Sequence, residues 1–230
     1  SSLAAGTLLA GVGRAYAQSP ASGGTLVEGY DRDFSPIDPV KTAWADPAMN
    51  ALYEPLVTHD YDGKIVPFLA LAFNESTERW TFDIPAGRTF HSGAPVTADA
   101  VARALQVMIS PDTGQNASFY TQVDKIAAEG EQVVFALKAP KHGLAEVLST
   151  EYAYIPNIDR RNEIGAGTFG AQEADGSGPF KLAEYVTGSK VRVEKWAEYP
   201  GQGAPHFENH GPARLDAVEE LIAALTATTA

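Results

Sequence analysis

The hydrophobic period of the chain changes within residues 80–105, and this change constrains the fold more than any other feature of the sequence. From residue 80 to residue 84, apolar and polar residues alternate, which is the period of a β-strand with one buried face. From residue 101 to residue 109, apolar residues recur at helical spacing, and Thr97 stands in a favourable position to cap a helix that begins after it. A strand followed by a helix predicts an α/β fold.

The loop between the two, "PAGRTFHSGAPVT", contains His91 beside Ser92, the residue types of a base and a nucleophile. Adjacent residues on a turn point in different directions, and the loop offers no third group to orient the base. We therefore expect a structural role for His91.

Charge and cysteine content exclude several kinds of function. The chain has 29 acidic and 17 basic residues, and a net charge of -12, without long runs of one sign. This balance argues against nucleic acid or an anionic membrane as a partner. The absence of cysteine excludes disulfides, thiolate nucleophiles and cysteine metal sites.

The first residues resemble the end of a secretory signal, because an apolar stretch at residues 3–12 is followed by Ala-Tyr-Ala at residues 15–17. We predict a signal-peptide remnant at residues 1–17, cleaved after Ala17, and a flexible leader at residues 18–23. The alternative is an Ala/Gly-rich flexible tail without a role in export.

The rest of the sequence predicts further elements and a linker. They are a first strand at residues 24–30, a short helix between Pro47 and Pro55, hairpins around residues 62–63 and 187–189, a meander that turns at residues 129–130, a short helix at residues 143–149, a strand at residues 151–159, a mobile Gly-rich linker at residues 163–178 and a final amphipathic helix at residues 215–225.

The sequence does not support a metal site or a catalytic cluster. His206 and His210 have helical spacing, but prolines and glycines around them break the helix that would align them. The acid pairs at residues 31 and 33 and at residues 219 and 220 are expected to be solvated. We predict no metal site, no cofactor and no catalytic residue.

Four segments, in order, resemble the family 5 extracellular solute-binding proteins, the dipeptide, oligopeptide and nickel type of receptor. They are "FSPIDP", "ALYEPLVTHDYDGKIVPFLALAF", "WTFDIPAGRTFHSGAPVTADAV" and "GSGPFKLAEYVTGSKVRVEKWAEY", and they fall within residues 24–199. The sequence departs from the family at Lys195-Trp196, where Arg-Asn is usual, and after Leu215, where the family has a strand.

The resemblance implies a two-lobed periplasmic-binding-protein fold (α/β, class II, cluster C-like), here incomplete. It places lobe I with its small subdomain at residues 24–178, and a hairpin that returns to lobe I, with the start of the crossing to the second lobe, at residues 179–230. In this family the residue 85–97 loop is a scaffold: Gly87 and Gly93 set its turns and Phe90 anchors it.

The resemblance also implies a function. The protein would be a monomeric periplasmic receptor of an ABC importer, not an enzyme, which binds a peptide or similar small solute between its lobes and delivers it to a permease and ATPase complex. Alternatives are a nickel or metal-chelate receptor of the same fold, an exported hydrolase and a sensory periplasmic domain. The expected ligand contacts are Tyr30, Thr42, Ala43, Trp44, Ala45, Asn116, Ala117, Phe119 and Tyr120.

Overall fold

The computed structural model describes residues 21–41, 46–139, 143–201 and 203–222. The predicted signal remnant at residues 1–17, residues 18–20 of the leader and the candidate ligand residues Thr42, Ala43, Trp44 and Ala45 lie outside these ranges. Within them, none of the helices has the length and apolar character needed to cross a membrane.

Two four-stranded sheets and one hairpin form the framework of the described chain. The mixed sheet has the order β1-β10-β9-β8, the antiparallel sheet has the order β4-β5-β7-β6, and β2 pairs with β3. The strands are β1 (Thr25–Tyr30), β2 (Val57–His59), β3 (Ile65–Pro67), β4 (Ala72–Glu75), β5 (Arg79–Asp83), β6 (Val123–Glu129), β7 (Gln132–Leu137), β8 (Phe180–Val186), β9 (Lys190–Lys195) and β10 (Ala217–Ile222).

Within the described ranges, four α-helices and two 3-10 turns connect the strands. The helices are α1 (Pro47–Leu52), α2 (Ala98–Ile109), α3 (Leu144–Leu148) and α4 (Ile158–Ile164), and the 3-10 turns are Ala117–Tyr120 and Glu151–Ala153. Helix α2 packs on the antiparallel sheet and forms the first core with it. Helix α1 packs on β8 and β9 of the mixed sheet and forms the second core.

The predicted change from strand to helix is confirmed. Trp80 and Phe82 of β5 are buried, as the alternation requires, and the hydroxyl of Thr97 accepts a hydrogen bond from the backbone N–H of Ala100 at 3.1 Å. This bond satisfies one of the free donors of the first turn of α2. The first strand, the helices α1 and α3, the hairpins and the meander are also present. Strand β4 was not predicted.

The final helix predicted at residues 215–225 is wrong, because residues 217–222 form strand β10. This strand runs parallel to β1 and antiparallel to β9. Its side chains alternate, so Val218, Glu220 and Ile222 share the face that packs on the second core. Because Glu220 stands in the middle of that face, apolar and polar residues do not alternate along the strand. The spacing of Val218, Leu221 and Ile222 also fits a helix.

Two further expectations between residues 151 and 178 are wrong. The segment predicted as a strand forms a 3-10 turn and then α4, whose N-cap Asn157 accepts a hydrogen bond from the N–H of Arg160 at 3.2 Å. The Gly-rich segment is packed rather than open, since Phe169 and Ser177 are buried. A Cβ at Gly176 would lie 2.1 Å from the carbonyl oxygen of Leu52, so glycine is needed for this close approach.

Candidate ligand-binding site

The two loops predicted to face a ligand meet at their described flanks. The backbone N–H of Gln115 donates a hydrogen bond to the carbonyl of Val40 at 2.9 Å. Residues 116–120 therefore begin beside the end of the segment that leads into residues 42–45. These loops are 75 residues apart in the sequence at this bond, and the structure brings their flanks together.

Within the second loop, Phe119 and Tyr120 have different environments. The ring of Phe119 is 39% exposed and stacks on Tyr152 with ring centroids 4.4 Å apart. Tyr120 is buried in the first core, and its hydroxyl donates to the carbonyl of Tyr152 at 2.8 Å. Burial raises the pKa of Tyr120. Asn116 is buried and Ala117 is half-buried. Phe119 thus presents the open ring surface of this loop.

Tyr30 ends β1 and is half-buried against Phe34, with ring centroids 5.6 Å apart. Burial, together with the negative charges of Glu220 and Glu28, raises the pKa of Tyr30 to about 12. Its hydroxyl is therefore protonated at neutral pH and can donate a hydrogen bond. The role of Tyr30, Asn116, Ala117, Phe119 and Tyr120 as ligand contacts stays a prediction.

An acidic cluster lies next to Tyr30, and it corrects the expectation that Glu220 is solvated. Glu220 stands opposite Glu28 in the parallel pair, and its side chain is fully buried. Neither carboxylate oxygen makes a hydrogen bond of full geometry within the described chain, although the backbone N–H of Ala48 lies near the carboxylate. Burial raises the pKa of Glu220 to about 7, although the backbone N–H of Ala48 lowers it, while Asp46 and Glu28 raise it further.

Asp46, which precedes α1 and follows the predicted ligand segment, is also buried. Burial raises its pKa, and the guanidinium of Arg32, 3.9 Å away, opposes the rise. The sequence does not reveal this cluster, because the spacing around Glu220 predicts an exposed helix. An alternating pattern centred on Glu220 was the signal that could have found it.

His91 holds its loop to the Gly-rich segment. Its Nδ1 accepts a hydrogen bond from the N–H of Gly176 at 3.2 Å, and its Nε2 donates to the carbonyl of Gly178 at 3.0 Å. Burial lowers the pKa of His91 to about 4, so the ring is neutral at pH 7. Gly87 and Gly93 have positive φ and Phe90 is buried, which agrees with a scaffold loop.

Trp196, one of the departures from the family pattern, packs on this histidine. The two ring centroids are 5.1 Å apart in an edge-to-face arrangement, and the Nζ of Lys181 lies 4.9 Å from the indole centroid. Trp196, which stands where the family usually has Asn, therefore packs against the scaffold loop.

A buried ionic network joins the first and second cores. Glu54 pairs with Arg88, accepts a hydrogen bond from the Tyr199 hydroxyl at 2.6 Å on Oε1 and accepts one from the Ser177 hydroxyl at 2.7 Å on Oε2. Arg88 also donates to the carbonyl of Gly201 at 2.7 Å. Sequence reasoning did not find this network, because its members come from four separate segments.

The described residues hold no group of three or more histidines, aspartates and glutamates placed to bind a metal ion. His206 and His210 lie in the loop between β9 and β10, where no helix aligns them.

A mixed sheet whose first strand pairs with its last, with an antiparallel sheet and its helix inserted between them, is shared with part of the fold of solved periplasmic binding proteins. The oligopeptide-binding protein AppA of Bacillus subtilis, solved in complex with a nonapeptide, has this fold: its TM-score is 0.75 at 23% identity, covering 89% of this chain and 41% of AppA. NikA of Staphylococcus aureus, solved in complex with Ni(L-His)2, gives a TM-score of 0.66 at 16% identity, covering 88% of this chain and 39% of NikA.

The family follows from the sequence itself. The pattern of the bacterial extracellular solute-binding proteins, family 5, matches residues 64–219, and the chain belongs to this family. It is 28% identical over 166 residues to the probable D,D-dipeptide-binding periplasmic protein DdpA of Escherichia coli K12, covering 68% of this chain. It is 27% identical over 203 residues to AppA, covering 84% of this chain. The chain spans 32% of DdpA and 37% of AppA.

Proposed function

We propose that this chain forms the ligand-facing part of lobe I in the solute-binding component of an ABC importer. The receptor binds a peptide or similar small solute in the cleft between two lobes, works in the periplasm as a monomer and delivers the solute to a permease and ATPase complex. The observation that carries this proposal is the family match over residues 64–219.

The geometry at the two loop flanks supports a binding role. The hydrogen bond from Gln115 to Val40 brings the flank of residues 42–45 beside the start of the loop that carries the exposed ring of Phe119. Main-chain groups and aromatic surfaces bind peptides with little dependence on the side-chain sequence of the peptide. Tyr30 adds a hydroxyl donor at the end of β1. This combination suits a small solute with a polar backbone.

In a receptor of this kind, the two lobes close around the bound solute. The closed state is favoured because the ligand makes contacts in it that the open state lacks. We assign lobe I and its small subdomain to residues 24–178, and the return to lobe I with the start of the crossing to residues 179–230.

Peptides are the solute class that we favour, because the names of DdpA and AppA give dipeptides and oligopeptides. The complex of NikA with nickel and histidine supports a metal chelate as the second candidate. We also propose that the protein breaks no bond in its ligand, since His91 is neutral and has both ring nitrogens in structural hydrogen bonds.

A thermal-shift screen of the complete receptor against peptides and nickel–histidine tests this proposal. A ligand at a hundred times its dissociation constant adds about 2.7 kcal/mol to stability, so a true solute raises the melting temperature measurably. Phe119→Ala should weaken solute binding. Phe207→Ala removes a ring of similar exposure on another surface and serves as the matched control.

Two results would contradict the proposal. Unchanged melting temperatures over the whole panel would favour a sensory domain that binds no solute. Cleavage of a peptide, detected by mass spectrometry and lost in His91→Ala, would favour an exported hydrolase.

A further inference from the structure

A cavity of about 270 Å³ lies away from the predicted solute cleft. It opens between the carboxyl end of α1, the β2–β3 hairpin and the loop that joins β9 to β10. Five aromatic side chains line it: Tyr53, Phe68, Tyr154, Tyr199 and Phe207. We call it the aromatic cavity.

The aromatic cavity and the predicted solute loops lie at opposite ends of α1. Residues 42–45 precede the amino end of this helix, where Ala48 approaches Glu220 near the carboxyl end of β10. The cavity is lined by Glu54, which follows the carboxyl end of the helix, and by Ala213, which precedes the start of β10. An occupant of the cavity therefore would not take part in the solute cleft.

The charges around the aromatic cavity favour an uncharged occupant. Among the described residues, Glu54 is the charged side chain that lines it, and no lysine, arginine or histidine does so. The carboxylate of Glu54 is already paired with Arg88 and accepts hydrogen bonds from Tyr199 and Ser177. Its charge is balanced inside the protein and needs no cation from the ligand. An anion would meet no positive group on the wall.

The shape and polar groups of the cavity favour a single ring with a polar edge. Aromatic walls stack on flat or ring-shaped molecules. The hydroxyl of Thr58 and the amides of Asn50 and Asn209 lie on the same walls. Asn50 accepts a hydrogen bond from Tyr154 and Asn209 is bonded within its own loop, and each amide retains an N–H that can be donated to a ligand. A volume of about 270 Å³ lies below the usual range for drug-sized ligands, which points to a ligand of one ring or one fused ring system.

A row of aromatic rings continues from the cavity to the surface. Phe207 packs edge-to-face on Phe68 at 5.8 Å and on His206 at 4.8 Å, and His206 packs on Tyr61 at 4.7 Å. Tyr61 is 85% exposed and Phe207 is 40% exposed, so neither ring is placed there by core packing. Contiguous exposed aromatic rings can mark a ligand-binding groove.

We propose that the aromatic cavity binds one uncharged, ring-shaped small molecule with hydrogen-bonding groups on its edge, at a site separate from the solute cleft. The ring stacks against the aromatic walls, and its polar edge faces the amides and the hydroxyl. This second site does not depend on the proposed transport function.

Titration of the complete receptor with indole, followed by NMR, tests the proposal. Saturable binding at low-millimolar concentration or below is expected. Phe207→Ala should weaken it about threefold to tenfold, because an aromatic pair contributes about 0.5–1.5 kcal/mol. Ala213→Leu places a larger side chain on the cavity wall and should abolish it. Phe119→Ala is the matched control and should leave indole binding unchanged.

The outcomes separate this site from the solute cleft. Loss of indole binding in Phe119→Ala, or full binding in Ala213→Leu with an unchanged melting temperature, would overturn the assignment to the aromatic cavity. Absence of saturable binding to the wild-type receptor would overturn the site itself. Tighter binding of tetramethylammonium than of indole would overturn the ligand class. A receptor that fails to bind peptides but binds indole would leave this proposal standing.

Discussion

The two cores of the molecule are built from different parts of the sequence. The first core draws on residues 40–158, and its strands and helix α2 follow one another along the chain. The second core combines residues 34–53, 169–193 and the strand β10. Buried charged groups lie in or beside the second core, including Asp38, Asp46 and Glu220, and Glu54 lies at its junction with the first core.

This contrast shows how a chain can join distant segments. The first core depends on apolar side chains with regular spacing. Elements that are adjacent in the sequence can supply these side chains. The segments of the second core meet through specific polar contacts, such as the two hydrogen-bonding contacts of Arg161 Nε with Asp38 at 3.0 and 3.1 Å and the bond from the Tyr53 hydroxyl to the Ile37 carbonyl at 2.8 Å. Such contacts fix which segments pair.

The largest effect is expected where the two cores join. Arg88→Ala leaves the buried carboxylate of Glu54 without its cationic partner, and loss of one partner of a buried pair costs about 3–5 kcal/mol. Urea unfolding measures this change in the free energy of unfolding. Arg79→Ala, which removes the exposed pair with Glu129, is the control and should have little effect. Equal effects of the two substitutions would show that the junction is not specially dependent on its ion pair.

The second prediction concerns Glu220 in the second core. Its folded-state pKa of about 7 lies above the ordinary value of 4.5, so the folded protein holds its proton more tightly than the unfolded chain. Stability is therefore lost as pH rises from about 4.5 to 7, by about 3 kcal/mol.

Glu220→Gln should remove this part of the pH dependence. Unfolding curves of the wild-type protein and of Glu220→Gln at pH 5 and pH 8 give the change in unfolding free energy with pH. The nearby titratable or charged groups that both proteins keep are Glu28, Asp46, Tyr30 and Arg32. Identical pH profiles would contradict the prediction.

The third prediction concerns the hydrogen bonds of His91. His91→Ala leaves the buried N–H of Gly176 and the carbonyl of Gly178 without this partner, at a cost of about 1–3 kcal/mol. Chemical denaturation measures the loss, and His59→Ala, at a more exposed histidine, should change stability little. Solute affinity of the remaining folded protein should be retained; its loss would assign His91 to the binding site.

The smallest effect is expected in the first core. Thr97→Ala removes the cap of α2 and should cost about 1 kcal/mol, whereas Thr97→Ser keeps the hydroxyl and most of the stability. The midpoint of urea unfolding compares the two variants. Equal midpoints would mean that the cap does not stabilise this helix.

The sequence predicted the first core well and the second core in part. Alternation at Trp80 and Phe82 and the cap at Thr97 are local signals, and each was sufficient to place an element. The sequence predicts a mobile linker at Gly176 and Gly178, because their close contacts with Leu52 involve a segment more than a hundred residues earlier.

The same limit applies to the candidate sites. The loop at residues 116–120 was predicted from the resemblance, and its contact with Val40 was not visible in the residues. Glu220 was assigned to a helix because its strand places an acid where an apolar residue is expected. The aromatic cavity was missed since Tyr53, Phe68 and Phe207 are each unremarkable in their own segments.

The parallel pairing of β1 with β10 has a consequence for the order of assembly. Gly24 and Asp216, which join at the start of this pair, are 192 positions apart. During synthesis, β1 stays unpaired until β10 has been made. The antiparallel sheet can form earlier, because its strands come from segments that are close in the sequence. We expect pulse-labelling hydrogen exchange during refolding to protect β5 and β7 before β1, with the edge of β1 as the surface that a folding helper would shield in the interval.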